Sequence, residues 1–282
     1  MTEFLTQNNK KDEKMTWKGN SMRKEKARVI SQRELADGIY DLRISTELSC
    51  EAKPGQFINV YTNDKAKLMP RPISICQIDR MNAQLRLVYR VSGDNTGTKE
   101  FSGYENGDEV GILGVLGNGF PVEEGRKKNC LVFGGGIGIP PLLELCKDLH
   151  DHGALSVTAI LGYRSEPLFL ADEFKPYAKV VIATEDGSYG TKGNVIDAAK
   201  AEKLNGDLIY SCGPIPMLRG VKNFAKDIGA KAYISLEERM ACGVGACLGC
   251  VCKTVNKDEH SNVKNARVCT EGPVFDAEDV EI

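Results

Sequence analysis

A chain of 282 residues is long enough for two or three domains of ordinary size. Its formal net charge of -2 shows no basic excess that would favour nucleic acid or an acidic membrane surface as a partner. The sequence contains no apolar run of about 18 residues and no apolar stretch near its N-terminus like that of a signal peptide. We therefore expect a cytoplasmic protein that binds small molecules and other proteins, with no nucleic-acid and no membrane partner.

The first 26 residues are rich in lysine, asparagine and acidic side chains and show no hydrophobic periodicity. Such a segment cannot bury enough apolar surface to fold by itself, so we predict a disordered polar extension over 1–26. Met15 and Met22 are alternative start sites within it.

Residues 27–126 carry short alternating hydrophobic runs separated by turn residues, which predicts a small antiparallel β barrel. The predicted strands are ARVISQREL, IYDLRIS, QFINVYT, QLRLVYRVS and DEVGILGVLG. Three motifs in this region suit a ligand with a phosphate and a planar ring: RPISI from Arg71, VYRV from Val88 and the loop GDNTGTKEFS around Thr98. Taken alone, RPISI is better explained by an ordinary turn. The three motifs together favour a ligand more strongly.

From residue 127 strands alternate with helices, which predicts a parallel sheet covered by helices over 127–236. The predicted strands are CLVFGG, SVTAILGYR, KVVIATED and DLIYSCG, and the predicted helices are IPPLLELCKDLHDHG, NVIDAAKAEKL and PMLRGVKNFAKDIG. The tail over 237–282 lacks this periodicity and is dominated by cysteine and glycine.

A glycine-rich loop lies between the first strand and the first helix of this region. It contains Gly134, Gly135, Gly136 and Gly138. Glycines there allow a backbone to approach a pyrophosphate at a helix N-terminus, although the spacing differs from the usual dinucleotide fingerprint and a tight turn is the simpler interpretation. Polar loops also follow Thr184 and Cys212. Because ligands bind at the carboxyl ends of parallel strands, the three loops together favour a nucleotide site.

Cys212 is a candidate nucleophile, but no nearby sequence supplies a general base. His150 and His152 lie at a predicted helix end, and His260 lies in the polar tail. We interpret Cys212 as a small residue beside a cofactor ring.

The tail concentrates five of the ten cysteines of the chain. Cys242, Cys247 and Cys250 have the spacing C-x4-C-x2-C, which is typical of plant-type 2Fe-2S proteins, and the intervening glycines allow the backbone to wrap a cluster. Cys269 and Cys252 both qualify as the fourth ligand, and Cys269 is preferred because it returns from a separate segment. A zinc site is the alternative, but it usually has paired C-x2-C knuckles.

In this order, the barrel, the sheet and the cysteine tail resemble the electron-transfer subunits of type B, NAD-dependent dihydroorotate dehydrogenases, a branch of the ferredoxin reductase superfamily with an added 2Fe-2S domain. The resemblance extends from Ala27 to the C-terminus. It is most specific at RPISI, GNGF, GGGIGIPPLL, LEERMACGVGACLGCVC and RVCTEGPVFDAEDV. It implies a ferredoxin-reductase-like fold with an FAD-binding antiparallel barrel over 27–126, a parallel-sheet NAD domain over 127–236 and a small 2Fe-2S domain over 237–282.

The resemblance also implies where the cofactors bind. For FAD it implies Arg71, Pro72, Ile73, Ser74, Val88, Tyr89, Arg90, Gly97 and Thr98. For NAD it implies Gly134, Gly135, Gly136, Gly138, Cys212 and Gly213. For the cluster it implies the ligands Cys242, Cys247, Cys250 and Cys269.

The implied activity is an electron relay in pyrimidine biosynthesis. A partner subunit oxidises dihydroorotate on FMN, the cluster carries single electrons, and FAD passes a hydride to NAD+. The implied assembly is a heterotetramer with two copies of each subunit, and this chain needs no acid–base residue of its own. Two alternatives are a flavin and iron–sulfur subunit of a ferredoxin:NADP reductase or sulfide dehydrogenase complex, and a zinc-stabilised binding module without redox function.

Overall fold

The structure is a computed structural model and describes residues 15–17, 20–257 and 262–282. Its first half is an antiparallel barrel, as predicted. The barrel strands and the strand that precedes them are β1 (Met15–Trp17), β2 (Asn20–Ala36), β3 (Ile39–Ser45), β4 (Phe57–Val60), β5 (Arg71–Asp79), β6 (Gln84–Arg90) and β7 (Glu109–Leu116). The sheet order is β2-β3-β6-β5-β4-β7, and β7 pairs with β2 to close six strands into a barrel, while β1 pairs with β2 outside it. A short helix, α1 (Gly97–Phe101), lies between β6 and β7.

The predicted disordered extension is wrong for residues 15–17, which form β1, and for residues 20–26, which form the first part of β2. Arg23 to Arg28 pair with Gly114 to Glu109 on β7, so the backbone of this polar segment completes the barrel. Lys24 and Lys26 are exposed while Ala27 is buried, so the charged side chains stay in water on the outer face of the strand. Residues 1–14 and 18–19 of the predicted extension lie outside the described residues.

The second half is a sheet with helices on it. Its elements are β8 (Asn129–Gly135), α2 (Pro141–Asp151), β9 (Ser156–Tyr163), α3 (Ala171–Phe174), β10 (Lys179–Thr184), β11 (Thr191–Lys192), α4 (Val195–Ala201), β12 (Leu208–Cys212), α5 (Ile215–Ile228) and β13 (Lys231–Ser235). The strands are parallel in the order β11-β10-β9-β8-β12-β13. Among the described residues, no helix combines the length and the apolar character that a bilayer crossing requires.

The cysteine tail contains the two-stranded hairpin β14 (Val251–Lys253) and β15 (Asn265–Arg267), followed by β16 (Val274–Asp276). β16 pairs antiparallel with β13 at the edge of the parallel sheet. The tail is therefore attached to the sheet by backbone pairing, which its lack of periodicity did not indicate. The division at residues 126/127 and 236/237 stays a prediction.

The barrel and the sheet domain are joined by buried charged groups. Arg86 of β6 is 2% exposed and binds Asp41 with two hydrogen bonds of 2.9 Å, one from Nε and one from Nη2. Its guanidinium also pairs with Glu173 of α3, in the sheet domain. Glu144 of α2 is 1% exposed and accepts a hydrogen bond from the main-chain N–H of Ile78 at 3.1 Å. These contacts fix the sheet domain against one side of the barrel.

Candidate functional site

The RPISI motif forms the start of β5, and its side chains alternate between the two faces of the barrel wall. Ile73 is buried in the barrel core, whereas Ser74 is exposed and Pro72 is half-buried. Since successive side chains in a strand point to opposite faces, Pro72 and Ser74 share the outer face. That face is accessible to a ligand.

Arg71 crosses the loop that begins α1. A Cβ atom built on Gly97 would lie 3.0 Å from Cγ and 3.1 Å from Nε of Arg71, so the arginine side chain passes directly over the backbone of this glycine. Thr98 is buried, and its hydroxyl accepts a hydrogen bond from the N–H of Ser92 at 3.2 Å. The predicted phosphate loop and the predicted phosphate-binding arginine are therefore adjacent.

The VYRV motif is the end of β6. The ring of Tyr89 lies in the barrel core, where it stacks on Tyr40, and its hydroxyl accepts a hydrogen bond from Gln32 Nε2 at 2.7 Å. This ring is used in packing, so only the main chain of Tyr89 is free to contact a ligand. Val88 packs in the apolar cluster shared with the sheet domain, and Arg90 is exposed.

The three polar loops lie at the carboxyl edge of the parallel sheet, as the strand directions require. Gly134 of β8 is in register with Cys212 of β12, and Thr184 of β10 with Tyr163 of β9. Thr184 is fully buried, and its hydroxyl donates to the carbonyl of Tyr189 at 2.7 Å. This hydrogen bond closes the loop that follows β10. The loops after β8 and β12 are the pair in direct contact.

The glycine loop packs against residues 211–214 (SCGP), and its other side reaches the barrel. A Cβ atom on Gly138 would lie 2.5 Å from the carbonyl oxygen of Cys212 and 2.7 Å from the Cα atom of Gly213. On its other side, a Cβ atom on Gly136 would lie 3.9 Å from Nη2 of Arg90. The predicted NAD loops thus lie next to the end of β6, which carries predicted FAD residues.

Cys212 is partly buried, and burial raises its pKa to about 12 despite the opposing hydrogen bond with Ser235. The thiol is therefore protonated at neutral pH, which agrees with its interpretation as a small neutral residue.

We expect Cys212→Ala to keep NADH oxidation with an artificial acceptor within about twofold of wild type, because a protonated thiol has no acid–base or nucleophilic task here. A thiol with a pKa of about 12 stays neutral across the working range, so the pH profile of kcat/KM from about pH 6 to about pH 9 should be unchanged. Steady-state kinetics across that range check this expectation. A lost or displaced limb of the profile would show that the thiol takes part in proton transfer.

The four predicted cluster ligands lie together as two pairs. The Cys247 thiol lies close enough to Cys242 to lower its pKa, and the Cys250 thiol close enough to Cys269 to raise its pKa. Main-chain N–H groups point at three of the sulfurs, at distances between 3.2 and 3.4 Å. They come from Val244 to Cys242, from Gly245 to Cys269 and from Gly249 to Cys247.

These N–H groups favour thiolates in part of the loop. Burial acts to raise the pKa of Cys242, but N–H groups of the loop and the Cys247 thiol outweigh it and lower the pKa to about 7. For Cys269, burial and then the thiol of Cys250 raise the pKa to about 12. A positively charged metal centre at this position would favour the thiolate form of both.

The paired arrangement suits a two-iron cluster better than a single metal ion. A zinc ion draws four ligands into one compact tetrahedron. Two pairs of thiols, surrounded by backbone N–H donors, match a cluster in which each iron takes two thiolates. Cys252 lies close by, in β14 opposite Ala266, whereas Cys269 has the N–H of Gly245 directed at its sulfur. Cys269 stays the predicted fourth ligand.

Two asparagines of the barrel hold the cysteine tail, and sequence reasoning missed both. Asn59 Nδ2 donates to the carbonyl oxygen of Cys242 at 3.0 Å, and Asn118 Nδ2 donates to that of Glu271 at 2.8 Å. A signal for Asn59 exists in the sequence, because it is a single amide in the otherwise apolar strand FINV, all of which is buried. Phe57 of the same strand packs in one apolar cluster with Cys269.

The architecture has known counterparts. The solved structure described as the NADH-dependent reduced ferredoxin-NADP oxidoreductase, in work on flavin-based electron bifurcation, is 27% identical, covers 90% of this chain and 89% of its own, and has a TM-score of 0.79. A ferredoxin NADP+ reductase from Neisseria gonorrhoeae shares the fold at 16% identity and a TM-score of 0.61, covering 77% of this chain and 94% of its own. The chain is a ferredoxin-reductase-like oxidoreductase component.

Relatives define the family more closely. The electron transfer subunit of dihydroorotate dehydrogenase B (NAD(+)) from Listeria innocua is 45% identical over 90% of this chain and 98% of its own length, and that from Geobacillus sp. is 41% identical over 92% and 99%. Residues 237–281 match the iron-sulfur cluster binding domain of dihydroorotate dehydrogenase B. The chain belongs to the family of dihydroorotate dehydrogenase B electron transfer subunits. This confirms the fold and the family expected from the sequence.

Proposed function

We propose that the chain transfers electrons from a dihydroorotate-oxidising catalytic subunit, through a 2Fe-2S cluster and FAD, to NAD+. The observation that carries the proposal is the contact between the three candidate sites. Asn59 is paired with Pro72 of β5, which carries proposed FAD residues, and it binds the carbonyl of Cys242. Arg90, at the end of β6, approaches Gly136 of the glycine loop. When bound, FAD converts between the one-electron chemistry of the cluster and the hydride chemistry of nicotinamide.

The FAD residues are those of the outer barrel face and its adjoining loop. Arg71 binds phosphate, because a guanidinium provides planar, always charged donors, and Gly97 and Thr98 contribute the loop that it crosses. Pro72, Ser74 and the main chain of Ile73 border the ring on the outer face. The other members of the set are the main chain at Val88 and Tyr89 and the side chain of Arg90.

The NAD residues are those of the two touching loops at the carboxyl edge of the sheet. The glycines of the loop after β8 let the backbone approach the pyrophosphate. Cys212 and Gly213 border the nicotinamide side, where a neutral thiol excludes water without taking a proton. The set is Gly134, Gly135, Gly136, Gly138, Cys212 and Gly213.

The cluster is held by Cys242, Cys247, Cys250 and Cys269. Cys250 and Cys269 are each 2% exposed, whereas Cys247 is exposed. One side of the cluster therefore faces the barrel and the other faces the surface, which suits a carrier between this chain and a partner.

The partner is an FMN-containing catalytic subunit, in a heterotetramer with two copies of each chain. It binds over the exposed side of the cysteine loop. Leu248 lies there, next to Cys247, with 63% of its surface exposed and its backbone in the left-handed region at φ +58°. Its exposed apolar side chain, beside the exposed cluster ligand, is available as an anchor for the partner.

We expect Leu248→Glu to weaken binding of the catalytic subunit about 30-fold, because an apolar anchor of an interface contributes about 2 kcal/mol. Met81→Glu is the matched control, since Met81 is 97% exposed on the turn between β5 and β6. Titration of the immobilised catalytic subunit with each variant measures both affinities. Equal affinity of Leu248→Glu and wild type would place the docking surface elsewhere.

The experiment that tests the function is reconstitution. The chain is co-purified with the FMN-bearing subunit, and reduction of NAD+ is followed with dihydroorotate as the only electron donor. Dihydroorotate-dependent NADH formation is expected from the complex and not from either subunit alone. A fully loaded complex that reduces NADP+ from reduced ferredoxin but is inactive with dihydroorotate would replace this function by the ferredoxin reductase alternative.

A further inference from the structure

Asn59 is a buried polar residue that faces away from the barrel core. Its neighbours Ile58 and Val60 point into the core, whereas Asn59 lies on the outer face and is only 1% exposed. It is paired with Pro72 in the antiparallel register of β4 and β5, and directly opposed residues share a face. Asn59 is therefore on the face that carries the proposed FAD site.

The amide of Asn59 is seated against the cysteine loop. Its Nδ2 donates to the carbonyl oxygen of Cys242 at 3.0 Å. The next residue, Gly243, is buried with φ +69°, and a Cβ atom there would lie 2.5 Å from the same Nδ2. The Asn59 side chain thus contacts the peptide bond between Cys242, a predicted cluster ligand, and Gly243. The contact is so close that a larger residue at position 243 would clash with it.

The other half of this amide points to a bound group. Asn59 Oδ1 is buried and has no hydrogen-bond partner among the described parts of the chain. A buried amide oxygen without a donor is unfavourable. The burial of Oδ1 on the face that carries Pro72 is explained if a cofactor bound to this face covers the oxygen.

The cysteine tail is also held in place by contacts other than that of Asn59. Asn118 anchors the tail from another side, with its main-chain N–H donating to the carbonyl of Gly272 at 2.7 Å and its side chain to that of Glu271 at 2.8 Å. β16 adds backbone pairing with β13. The contact of Asn59 therefore acts locally, on the position of Cys242.

We propose that Asn59 is a positioning residue for electron transfer between the cluster and FAD. By holding the carbonyl of Cys242, it fixes one pair of cluster ligands relative to the strand that carries the flavin. Hydrogen bonds and orientation around the ligands also set the potential of a cluster. This inference rests on the proposed function and adds a residue to it.

The test uses Asn59→Asp, which keeps the shape and loses the donor, and Asn59→Leu, which loses both polar atoms. Asn63→Leu is the matched control, because the side chain of Asn63 makes its hydrogen bond at the surface, to the carbonyl of Glu109 at 3.4 Å. In the purified full chain, FAD content and iron content are measured, and stopped-flow absorbance follows FAD and then cluster reduction by NADH. Electron paramagnetic resonance records the environment of the reduced cluster, and redox titration gives its potential.

We expect both variants to retain bound FAD, because the residues proposed to hold it lie on β5, β6 and α1. Asn59→Asp, which keeps an oxygen at the Oδ1 position, should also reduce its FAD at the wild-type rate. Reduction of the cluster should slow by about 10- to 100-fold, the usual effect of losing a group that orients a metal ligand, with a changed resonance spectrum and a shifted potential. Loss of the cluster alone, with FAD retained, would have the same meaning. Asn63→Leu should match wild type in every measurement.

Two results would overturn the inference. In the first, both variants have the wild-type spectrum and wild-type rate of cluster reduction. In the second, both lose FAD together with the cluster, which would assign Asn59 to the stability of the barrel. A wild-type chain that holds neither flavin nor cluster would instead contradict the proposed function, before any variant is compared.

Discussion

Replacing Cys269 by serine will remove the iron–sulfur cluster, whereas replacing Cys252 by serine will leave it in place. Cys269 is 2% exposed, and its sulfur receives the N–H of Gly245 at 3.2 Å. Cys252 lies on the hairpin strand β14, opposite Ala266, and no main-chain N–H from the described glycines of the cysteine loop is directed at its sulfur. A serine hydroxyl is a poor replacement for a thiolate on iron.

Iron content, visible absorbance and electron paramagnetic resonance of the anaerobically purified variants measure this difference. Cys269→Ser should lose nearly all iron while FAD absorbance is kept, because the proposed FAD residues lie on β5, β6 and α1. Cys252→Ser is the matched control and should retain wild-type iron. The opposite pattern, with iron lost from Cys252→Ser and kept in Cys269→Ser, would reassign the fourth ligand.

The second large effect is expected at the junction of the two larger domains. Arg86→Met leaves the carboxylate of Asp41, which is 1% exposed, without the two charged hydrogen bonds that it accepts from a buried side chain. Breaking a buried ion pair on one side costs about 3–5 kcal/mol of folding free energy. The melting temperature should therefore fall by about 10 °C, as measured by differential scanning calorimetry.

Arg33→Met is the matched control, because Arg33 binds the same carboxylate at 2.9 Å but its side chain is 60% exposed. Exposed ion pairs contribute about 1 kcal/mol or less, so this variant should melt close to wild type. If the two variants melted at the same temperature, the ion pair of Arg86 would not be the contact that stabilises the junction.

The strand pattern of the barrel and the alternation of strands and helices were predictable from local sequence. IYDLRIS corresponds to β3 at Ile39–Ser45, residue for residue, because alternating burial is encoded within each strand. The parallel strands are equally predictable from the sequence, and their direction places the three loops at one edge of the sheet.

The first part of β2 was not predictable in this way. Residues 20–26 are polar, and they are held as a strand by backbone pairing with β7, which lies about 90 residues further along the chain. The local hydrophobic pattern gives no information about a pairing strand so distant in the sequence. The same holds for β16, which pairs with β13 after the whole cysteine loop.

The candidate cluster site was largely encoded in its spacing, since three ligands come from one loop. The contacts that join this loop to the barrel were not, because Asn59 and Cys242 are 183 positions apart. Nor was the network of Arg86, Asp41 and Glu173, whose members come from β6, β3 and α3. Side chains that connect domains obey no local period, so only the folded chain reveals them.

The absorption spectrum of the anaerobically purified chain, combined with iron and flavin analysis, tests the central claim most directly. We predict visible bands of both flavin and a 2Fe-2S cluster, and bleaching of both when NADH is added. A colourless protein, or one whose metal is zinc, would contradict the account.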